Sequence, residues 1–462
     1  MQKAIYVTVC LTSIFLLHCS AQKVVTEIVT NAKYSPRLQS MLSGDSILFR
    51  FKESTFSSHG TFKTMWISAT GIRRDLNLDI NPDRSLVAFA SEGKHEKYYF
   101  IESEKRKYFL SCLTLDVEGG TETWNVGKLE IPGMLLGSFF SDDLYLVCMN
   151  PNETILKVIQ ISDLKVKKER RIALPAPLLK KKKTTVALVD QNAPLTPAQA
   201  MAAVKIYRQD SLLLVLVDDP FDEFDKNQIH SKTTIYRINL ESGRYSIRFV
   251  PEISKNLFYS IIFDGHLYRI VNAKDTEVQI YKISTGEIIN IFKLSTFKED
   301  PNAFAYWVNE NDNNIRREKY KSVVPLLNYI IADTVSSKVG LRIGSRYGVN
   351  QSVPFLYTFG IAGALISLVS NIGLMSVPAN PVIDKYFYLT GSPENGFLFT
   401  SDSGLLSQVV SEYDLEMAEE NNKRYTYKSH LYGEDFAYGF YMEHNSEKIQ
   451  ILKFVAADSP EK

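Results

Sequence analysis

The feature that most constrains this fold is a short unit of three apolar strands that recurs along the chain. One copy consists of residues 266–271, 278–283 and 288–294, with polar turns between them. A second copy spans 144–172 and a third spans 212–249. Apolar and polar residues alternate within the strands, which places one face of each strand in a core. Gly, Asn, Asp and Ser between the strands supply the turns, so the pattern predicts repeated antiparallel hairpins.

Units of three or four strands cannot bury their apolar faces alone, whereas stacking them around an axis does so and leaves only short edges. The branched residues Ile161, Ile238 and Ile283 lie at similar points of their units, and their spacing fits a repeat of roughly 40 residues with one poorly marked unit between the first two. Fainter copies lie at 86–101, 386–399 and 436–454. We therefore predict an all-β fold, a β-propeller of about seven blades with six or eight as near alternatives. Tandem β-sandwich domains share this strand rhythm and are the alternative fold.

This strand rhythm resembles that of the broad class of exported bacterial β-propeller proteins over about two thirds of the chain that follows residue 21. The WD dipeptide is absent from the sequence, so the resemblance implies an architecture and an exported location but no narrower family.

The first 21 residues have the three parts of a secretory signal. Lys3 gives a positive start, residues 4–17 are apolar and uncharged, and the small residues Ser20 and Ala21 follow. We therefore predict a signal peptide at 1–21, a single β-propeller-like domain at 22–456 and a disordered tail at 457–462.

Two cleavage sites compete at the end of this segment. Residues 16–19 (Leu-Leu-His-Cys) resemble a bacterial lipobox, in which Cys19 is lipidated, although His18 departs from the small residue expected there. Cleavage after Ala21 instead leaves Gln22 as the first residue. The first alternative predicts a lipid-anchored envelope protein and the second a free periplasmic or secreted one.

Composition excludes one class of partner and leaves the cysteines open. Lys and Arg number 53 against 52 Asp and Glu, so the net charge of +1 gives no electrostatic footprint for nucleic acid. Cys112 and Cys148 lie in the body of the chain, where an exported pair can form a disulfide or remain as two buried thiols in neighbouring strands. We predict membrane association only through a lipid at Cys19.

Two segments concentrate charge. Residues 164–183 are strongly basic, which fits a solvated outer strand, or contact with anionic lipid or an acidic polymer. Residues 218–225 are acidic and we interpret them as a solvated loop. Asp219, Asp222 and Asp225 are weak candidates for calcium ligands, but their spacing does not match an EF-hand and we predict no metal.

Three further segments break the strand pattern. Thr196, Pro197 and Gln199 have the order of a capped helix start. Residues 353–378 carry no charge and are interpreted as two buried inner strands rather than a membrane span. Residues 301–320 form a long polar insert, and long loops on rigid scaffolds often carry binding function.

The aromatic residues of that insert are the candidate partner or ligand site. Phe304, Tyr306 and Trp307 can stack on a sugar or anchor a protein partner, or they can pack back onto the domain.

No motif in the sequence commits the chain to a chemistry. The G-x-S-x-G elbow, the H-E-x-x-H helix, the P-loop and the dinucleotide fingerprint are all absent, and no cofactor is predicted. We therefore predict an exported, non-catalytic propeller that binds an unidentified protein or glycan. The alternatives are a carbohydrate-active enzyme with carboxylates at the propeller axis, and an envelope assembly or sensing component that binds a protein through the 301–320 insert.

Overall fold

Strands dominate the chain and form seven separate sheets, which are the blades of a β-propeller in the computed structural model. The structure describes residues 22–455 except for 30–37, 44–45, 53–61, 68–72, 77–84, 93–94, 105–106, 117–121, 125–126, 141–142, 180–184, 190–194, 210, 220–229, 255–256, 273–274, 302, 310–313, 321–326, 336–337, 349–381, 401–405, 422–424, 433–435 and 444–447.

The first three blades follow one another along the chain after strand β1 (Gln22–Val29). Blade 1 contains β2 (Leu38–Ser43), β3 (Ser46–Lys52), β4 (Phe62–Ile67) and β5 (Arg73–Leu76). Blade 2 contains β6 (Ser85–Glu92), β7 (His95–Glu104), β8 (Lys107–Asp116), β9 (Glu122–Trp124) and β10 (Leu129–Ile131). Blade 3 contains β11 (Met134–Phe140), β12 (Leu144–Met149), β13 (Ile155–Ser162) and β14 (Lys165–Ala173).

Blades 4 and 5, like blade 3, each contain one of the three clear copies of the sequence repeat. Blade 4 contains β15 (Val186–Val189), helix α1 (Pro197–Ala200), β16 (Val204–Gln209), β17 (Leu212–Asp219), β18 (His230–Asn239) and β19 (Tyr245–Ser254). Blade 5 contains β20 (Leu257–Phe263), β21 (His266–Asn272), β22 (Glu277–Lys282) and β23 (Ile288–Lys293), followed by a 3₁₀ helix (Leu294–Glu299).

The last two blades have less regular connections. Blade 6 contains β24 (Phe304–Asn309), β25 (Asn314–Lys319), β26 (Tyr329–Val335), β27 (Lys338–Gly348), β28 (Val382–Ser392) and β29 (Gly396–Phe399). Helix α2 (Leu406–Asn421) precedes blade 7, which contains β30 (Tyr425–Tyr432), β31 (Phe436–Glu443) and β32 (Lys448–Val455). No helix in the described part of the chain is long and apolar enough to cross a membrane.

The blades contact one another mainly through the innermost strand of each sheet, which is β26 in blade 6 and the first strand along the chain in each of the others, except that blade 7 begins its sheet at β30. Strand β2 contacts β6, β6 contacts β11, β11 contacts β15, β20 contacts β26, and β30 contacts β2. Blades 4 and 5 meet through β17 and β20, and helix α2 contacts β25 of blade 6 and both β31 and β32 of blade 7. Apolar clusters fill the spaces between blades, which is how sheets too small to bury their own faces become stable together.

Strand β1 closes the ring. It pairs antiparallel with β32 from Gln22↔Phe454 to Val29↔Lys448 and forms the outermost strand of blade 7. Blade 7 therefore combines one strand from the start of the described chain with three from its end, which ties the first blade to the last. The predicted all-β propeller of about seven blades is confirmed.

The prediction of a poorly marked unit between Ile161 and Ile238 is wrong. Ile161 lies in β13 and Ile238 in β18, on adjacent blades, because blade 4 is lengthened by the extra parallel strand β15 and by helix α1. The predicted helix start is confirmed. The Thr196 hydroxyl accepts from the Gln199 backbone N–H at 3.3 Å, and the Gln199 amide oxygen accepts from the Thr196 backbone N–H at 2.9 Å.

Candidate ligand site between blades 3 and 4

The predicted aromatic insert is not a loop where the structure describes it. Phe304, Tyr306 and Trp307 lie on β24, which forms a hairpin with β25 and pairs with β28 at the outer part of blade 6. Phe304 and Tyr306 share one face of the strand, with ring centroids 5.3 Å apart, and Trp307 points to the other face. The three side chains therefore do not form one surface.

Tyr306 is part of the core. It is 1% exposed, its ring stacks on Tyr386 at 5.2 Å, and its hydroxyl donates to Glu412 of helix α2. Arg317 donates to the same carboxylate at 2.6 Å. Trp307 is half-buried beneath the guanidinium of Arg316, whose carbon lies 4.2 Å from its ring.

The remaining predicted site residues divide between the described and undescribed parts of the chain. Asp219 ends β17, so the acidic segment is not one loop, and Asp222 and Asp225 lie outside the described residues. No cluster of three or more potential metal ligands occurs within the described residues. Cys19, the whole 1–21 segment, residues 353–378 and the 457–462 tail also lie outside them.

Both cysteines are buried free thiols in one apolar cluster between blades 2 and 3. Burial raises the pKa of Cys112 to about 11 and the pKa of Cys148 to about 12, so both remain protonated.

A row of side chains in register across all four strands of blade 3 forms one wall of a cleft. Phe139 of β11 pairs with Tyr145 of β12, Tyr145 with Gln160 of β13, and Gln160 with Lys168 of β14. Directly paired residues of antiparallel strands point to the same face, so these four side chains line up outward from the ring centre. The Phe139 and Tyr145 rings stack with centroids 5.0 Å apart and an interplanar angle of 7°.

Blade 4 supplies the opposite wall through two turns. Arg208 and Ser211 flank the β16–β17 turn, and Leu240 and Glu241 follow β18 at the β18–β19 turn. The row on blade 3 lies beside its own β11–β12 and β13–β14 turns. The cleft therefore opens on the face of the propeller that carries these turns, and its volume is about 330 Å³.

The two blades approach closely near the axis, below the cleft. Gly137 of β11 has no side chain there, and a Cβ at this position would lie 2.8 Å from the Cβ of Leu188 in blade 4. Val158 lines the cleft and belongs to a buried apolar cluster of both blades that also contains Val147 and Ile206. Because blades 3 and 4 touch near the propeller axis and separate towards the turns, the cleft is a wedge with an apolar interior and a polar rim.

Two arginines converge on this wedge from opposite walls. Arg170 follows Lys168 by two residues on β14 and so shares its face. Its guanidinium donates to the main-chain oxygen of Glu241 across the cleft, and its Nε is buried without a hydrogen-bond partner. Arg208 donates to the main-chain oxygen of Phe140 at 2.7 Å, and its guanidinium carbon lies 4.9 Å from the centre of the Phe139 ring. Neither arginine forms an ion pair with any described residue.

A buried carboxylate behind the row fixes two of its neighbours. Asp143 accepts from the Gln160 amide at 2.6 Å and from the Lys167 ammonium at 2.8 Å. The hydrogen bond from Lys167 lowers the pKa of Asp143 below its ordinary value, so this carboxylate stays ionised and keeps the Gln160 side chain in place. Lys167 is thereby engaged, and Lys168 and Arg170 remain as the cations of β14 that face the cleft.

Carboxylates are scarce on the inner ring. Within the described innermost strands of the seven blades (β2, β6, β11, β15, β20, β26 and β30), only Glu92 at the end of β6 and Asp333 in β26 are acidic. They belong to blades 2 and 6. Burial raises the pKa of Asp333 to about 6.

The sequence contained a partial signal for this site. Lys168 and Arg170 belong to the basic segment, and Tyr145 and Gln160 belong to the second copy of the repeat. Phe139, Arg208 and Ser211 carried no signal, because the pairing that aligns four strands and brings two blades together is not readable from local periodicity.

Comparisons with known proteins add no family. No protein-family model matches the chain, and no curated protein sequence matches it. The chain is similar to the β-propeller domain of the Trilobed protease from Pyrococcus furiosus, with 10% identity over 93% of this chain and 95% of that one and a TM-score of 0.40.

Two further solved structures show weaker similarity. The WD40 domain of SCAP from fission yeast matches at 8% identity over 95% of this chain and 98% of that one, with a TM-score of 0.34. Dihydro-heme d1 dehydrogenase NirN matches at 10% identity over 56% of this chain, with a TM-score of 0.31. The chain spans 47% of the length of NirN.

Proposed function

We propose that this protein is an exported, non-catalytic β-propeller that binds a ligand in the cleft between blades 3 and 4. One observation carries the proposal: the aligned side chains of Phe139, Tyr145, Gln160 and Lys168, with Arg170 on the same wall, face Arg208 of blade 4 across a wedge of about 330 Å³. This volume is at the lower end of the roughly 300–1,000 Å³ typical of small-molecule sites, and convergent polar groups over an apolar floor are typical of them.

The composition of the cleft favours binding over catalysis. Of its lining residues that the structure describes, Glu241, which is exposed, is the one carboxylate, and none is a histidine or cysteine. Glycoside hydrolysis needs two carboxyl groups that flank the bond, about 5–10 Å apart. The two acidic residues on the described inner strands belong to blades 2 and 6. The carbohydrate-active alternative therefore has less support than a binding platform.

The third hypothesis places a protein partner on the β24–β25 hairpin. Its remaining support is the half-buried Trp307 with the exposed Arg316 stacked above it, since Tyr306 is fully used by the core. Aromatic and arginine side chains are frequent in protein interfaces. A single Trp–Arg pair is a smaller recognition surface than the cleft.

A thermal-shift screen with three proteins tests the proposed site. The wild type, a Tyr145→Leu variant and a Trp307→Leu variant are screened against neutral, anionic and cationic small ligands and oligosaccharides. Ligands that raise the melting temperature of the wild type and the Trp307 variant, but not of the Tyr145 variant, support the cleft. Ligands that lose their effect only in the Trp307 variant would move the site to the hairpin. Conversion of any hit into product would contradict the non-catalytic assignment.

The location of the protein is a separate part of the proposal. Its support is the order of a positive start, an apolar stretch and small residues in 1–21. Intact mass of the mature protein distinguishes a lipidated chain starting at Cys19 from a free chain starting at Gln22. A mature chain that retains residues 1–21 would contradict export through a cleaved signal.

A further inference from the structure

We propose that the cleft between blades 3 and 4 binds an acidic saccharide, with the ligand carboxylate at the guanidiniums of Arg170 and Arg208 and a sugar ring against the Phe139–Tyr145 pair. This inference rests on the proposed function, which itself requires only that the cleft binds some ligand.

The charge of the lining selects an anion. Among the described residues that line the cleft, Lys168, Arg170 and Arg208 face the single carboxylate of Glu241. The chain as a whole carries a net charge of only +1, so this excess of cations is local. A concave site lined by charges of one sign concentrates ligands of the opposite sign.

The guanidiniums of Arg170 and Arg208 are each held by a hydrogen bond to a main-chain oxygen and have further N–H donors. Each donates to one main-chain oxygen, Arg170 to that of Glu241 and Arg208 to that of Phe140, and neither pairs with a described carboxylate. A guanidinium presents five N–H donors in a rigid fork that matches a carboxylate. The Nε of Arg170 is buried without an acceptor among the described residues, so the donors that an anionic ligand can engage are the guanidinium N–H groups at the cleft surface.

The uncharged part of the lining favours a saccharide among the anions. Phe139 already packs against both Tyr145 and the Arg208 guanidinium, so the Tyr145 ring is the apolar surface of the cleft on which the C–H face of a sugar can rest. The Gln160 amide nitrogen is committed to Asp143, which leaves the amide oxygen as an acceptor, and the Ser211 hydroxyl at the opposite wall can donate or accept. A simple phosphate or sulfate ion would use the arginines alone and leave the aromatic pair without a role.

The surface beside the cleft suits a ligand longer than one sugar. Strand β14 is the outer edge of blade 3, and Lys165 is exposed on it, three residues before Lys168. Repeating negative charges of an acidic oligosaccharide can follow this edge while one unit occupies the wedge. The basic segment thereby gains a function beyond that of a solvated strand.

Isothermal titration with matched ligands tests the inference. A short oligogalacturonate is the probe, and a malto-oligosaccharide of equal length is the neutral control. We expect the oligogalacturonate to bind and the neutral chain to bind at least about tenfold more weakly, because it cannot satisfy the arginines. Raising the ionic strength from about 0.01 M to about 0.15 M should weaken the acidic ligand only, since the screening length falls from about 30 Å to about 8 Å.

Neighbouring arginines supply a matched pair of variants. Arg170→Gln should weaken oligogalacturonate binding at least about tenfold, which is what the loss of a charge-assisted hydrogen bond produces. Arg171→Gln removes the same charge from the next residue, which points to the other face and pairs with Glu169, and should change the affinity less than about twofold. Equal losses in both variants would show attraction by the strand alone and would overturn the assignment to the cleft.

Two further probes separate failure of the inference from failure of the proposed function. Poly-glutamate and phosphatidylglycerol vesicles are tested on the same three proteins. Binding of either one that depends on Arg170, without binding of oligogalacturonate, would overturn the saccharide and retain the cleft as a ligand site. Failure of oligogalacturonate to bind the wild type also overturns the inference, whereas the thermal-shift screen decides the proposed function independently.

Discussion

The two interfaces of blade 4 differ in how their charged side chains are paired: those facing blade 5 are buried and hydrogen-bonded to one another, and those facing blade 3 line an open cleft. At the boundary with blade 5, Asp218 accepts from the hydroxyls of Thr233 at 2.9 Å and Ser260 at 2.8 Å, and from the Ser260 backbone N–H at 3.0 Å. The ammonium of Lys205 lies 3.4 Å from the same carboxylate and donates to a main-chain oxygen at 2.6 Å. At the boundary with blade 3, Arg170 and Arg208 face an open wedge, and no carboxylate in the described part of the chain pairs with them.

The difference separates a structural interface from a binding one. Lys205 is fully buried, and burial lowers its pKa below the ordinary value while Asp218 counteracts part of that effect. The pair lies within blade 4 and is tolerated because both charges are hydrogen-bonded, and the hydrogen bonds from Ser260 to Asp218 join it to blade 5. At the other boundary no described carboxylate pairs with Arg170 or Arg208, which fits the ligand site proposed there.

The largest effect should follow removal of Asp218. Asp218→Ala leaves the Lys205 charge buried and unpaired, and we expect the free energy of unfolding to fall by about 3–5 kcal/mol. Urea denaturation measures this, with Glu241→Ala at the cleft as the control, which should change stability by less than about 0.5 kcal/mol because its side chain is exposed. Similar losses in both variants would remove the distinction between the two boundaries.

Asp333 allows a test of whether Lys205 is what stabilises the ionised form of Asp218, because Asp333 is held by a backbone N–H and, among the described residues, not by a cation. Asp333 on β26 is held by the Thr334 backbone N–H at 2.8 Å, and burial raises its pKa from 3.8 to about 6. An acid whose pKa is higher in the folded state loses stability as pH rises through the interval between the two values. We therefore expect Asp333→Asn to stabilise the protein by about 2 kcal/mol at pH 7 and by nothing below about pH 4.

Denaturation midpoints of the wild type and Asp333→Asn across pH 3.5–7.5 measure this effect. The two curves should separate between about pH 4 and pH 6. Curves that run parallel over the whole range would contradict the assigned cause.

Two tyrosines give a matched pair for the same comparison. The Tyr207 hydroxyl accepts from the Ile262 backbone N–H at 3.0 Å across blades 4 and 5, whereas Tyr145 lines the open cleft. Tyr207→Phe leaves a buried N–H unsatisfied and should cost about 1–2 kcal/mol of unfolding free energy. Tyr145→Phe should cost less than about 0.5 kcal/mol, since no buried group depends on its hydroxyl. A larger loss at Tyr145 would mean that the cleft wall also has a structural role.

The smallest effect is expected at Arg170. Replacing it with Met removes a charge that no described carboxylate balances, so the unfolding free energy should change by less than about 0.5 kcal/mol while ligand binding is lost. Combined stability and affinity measurements on Arg170→Met check this. A loss of several kcal/mol would place Arg170 among the residues that hold blades 3 and 4 together.

More of the fold than of the binding site could be predicted from the sequence. The repeat around Ile161, Ile238 and Ile283 predicted the strands and the propeller because alternation and turn residues are local signals. It did not reveal that blade 4 contains a fifth strand, since β15 pairs parallel with β16 through an intervening helix. Nor did it distinguish a long polar insert from the β24–β25 hairpin.

The site escaped prediction for a related reason. Phe304, Tyr306 and Trp307 attracted attention as aromatic residues close together in sequence, yet adjacent strand positions point to opposite faces. Phe139 and Lys168 are far apart in sequence and meet in one row only because three successive pairings are in register. Register and blade-to-blade contact are long-range properties that spacing along the chain does not carry.

Hydrogen–deuterium exchange of the protein with and without bound ligand tests whether the ligand binds between blades 3 and 4. We expect slower exchange in 156–170 and at the turns around 209–212 and 239–244, with no change in 304–319. Protection confined to 304–319, with none at the cleft, would contradict it and would return the binding site to the hairpin of blade 6.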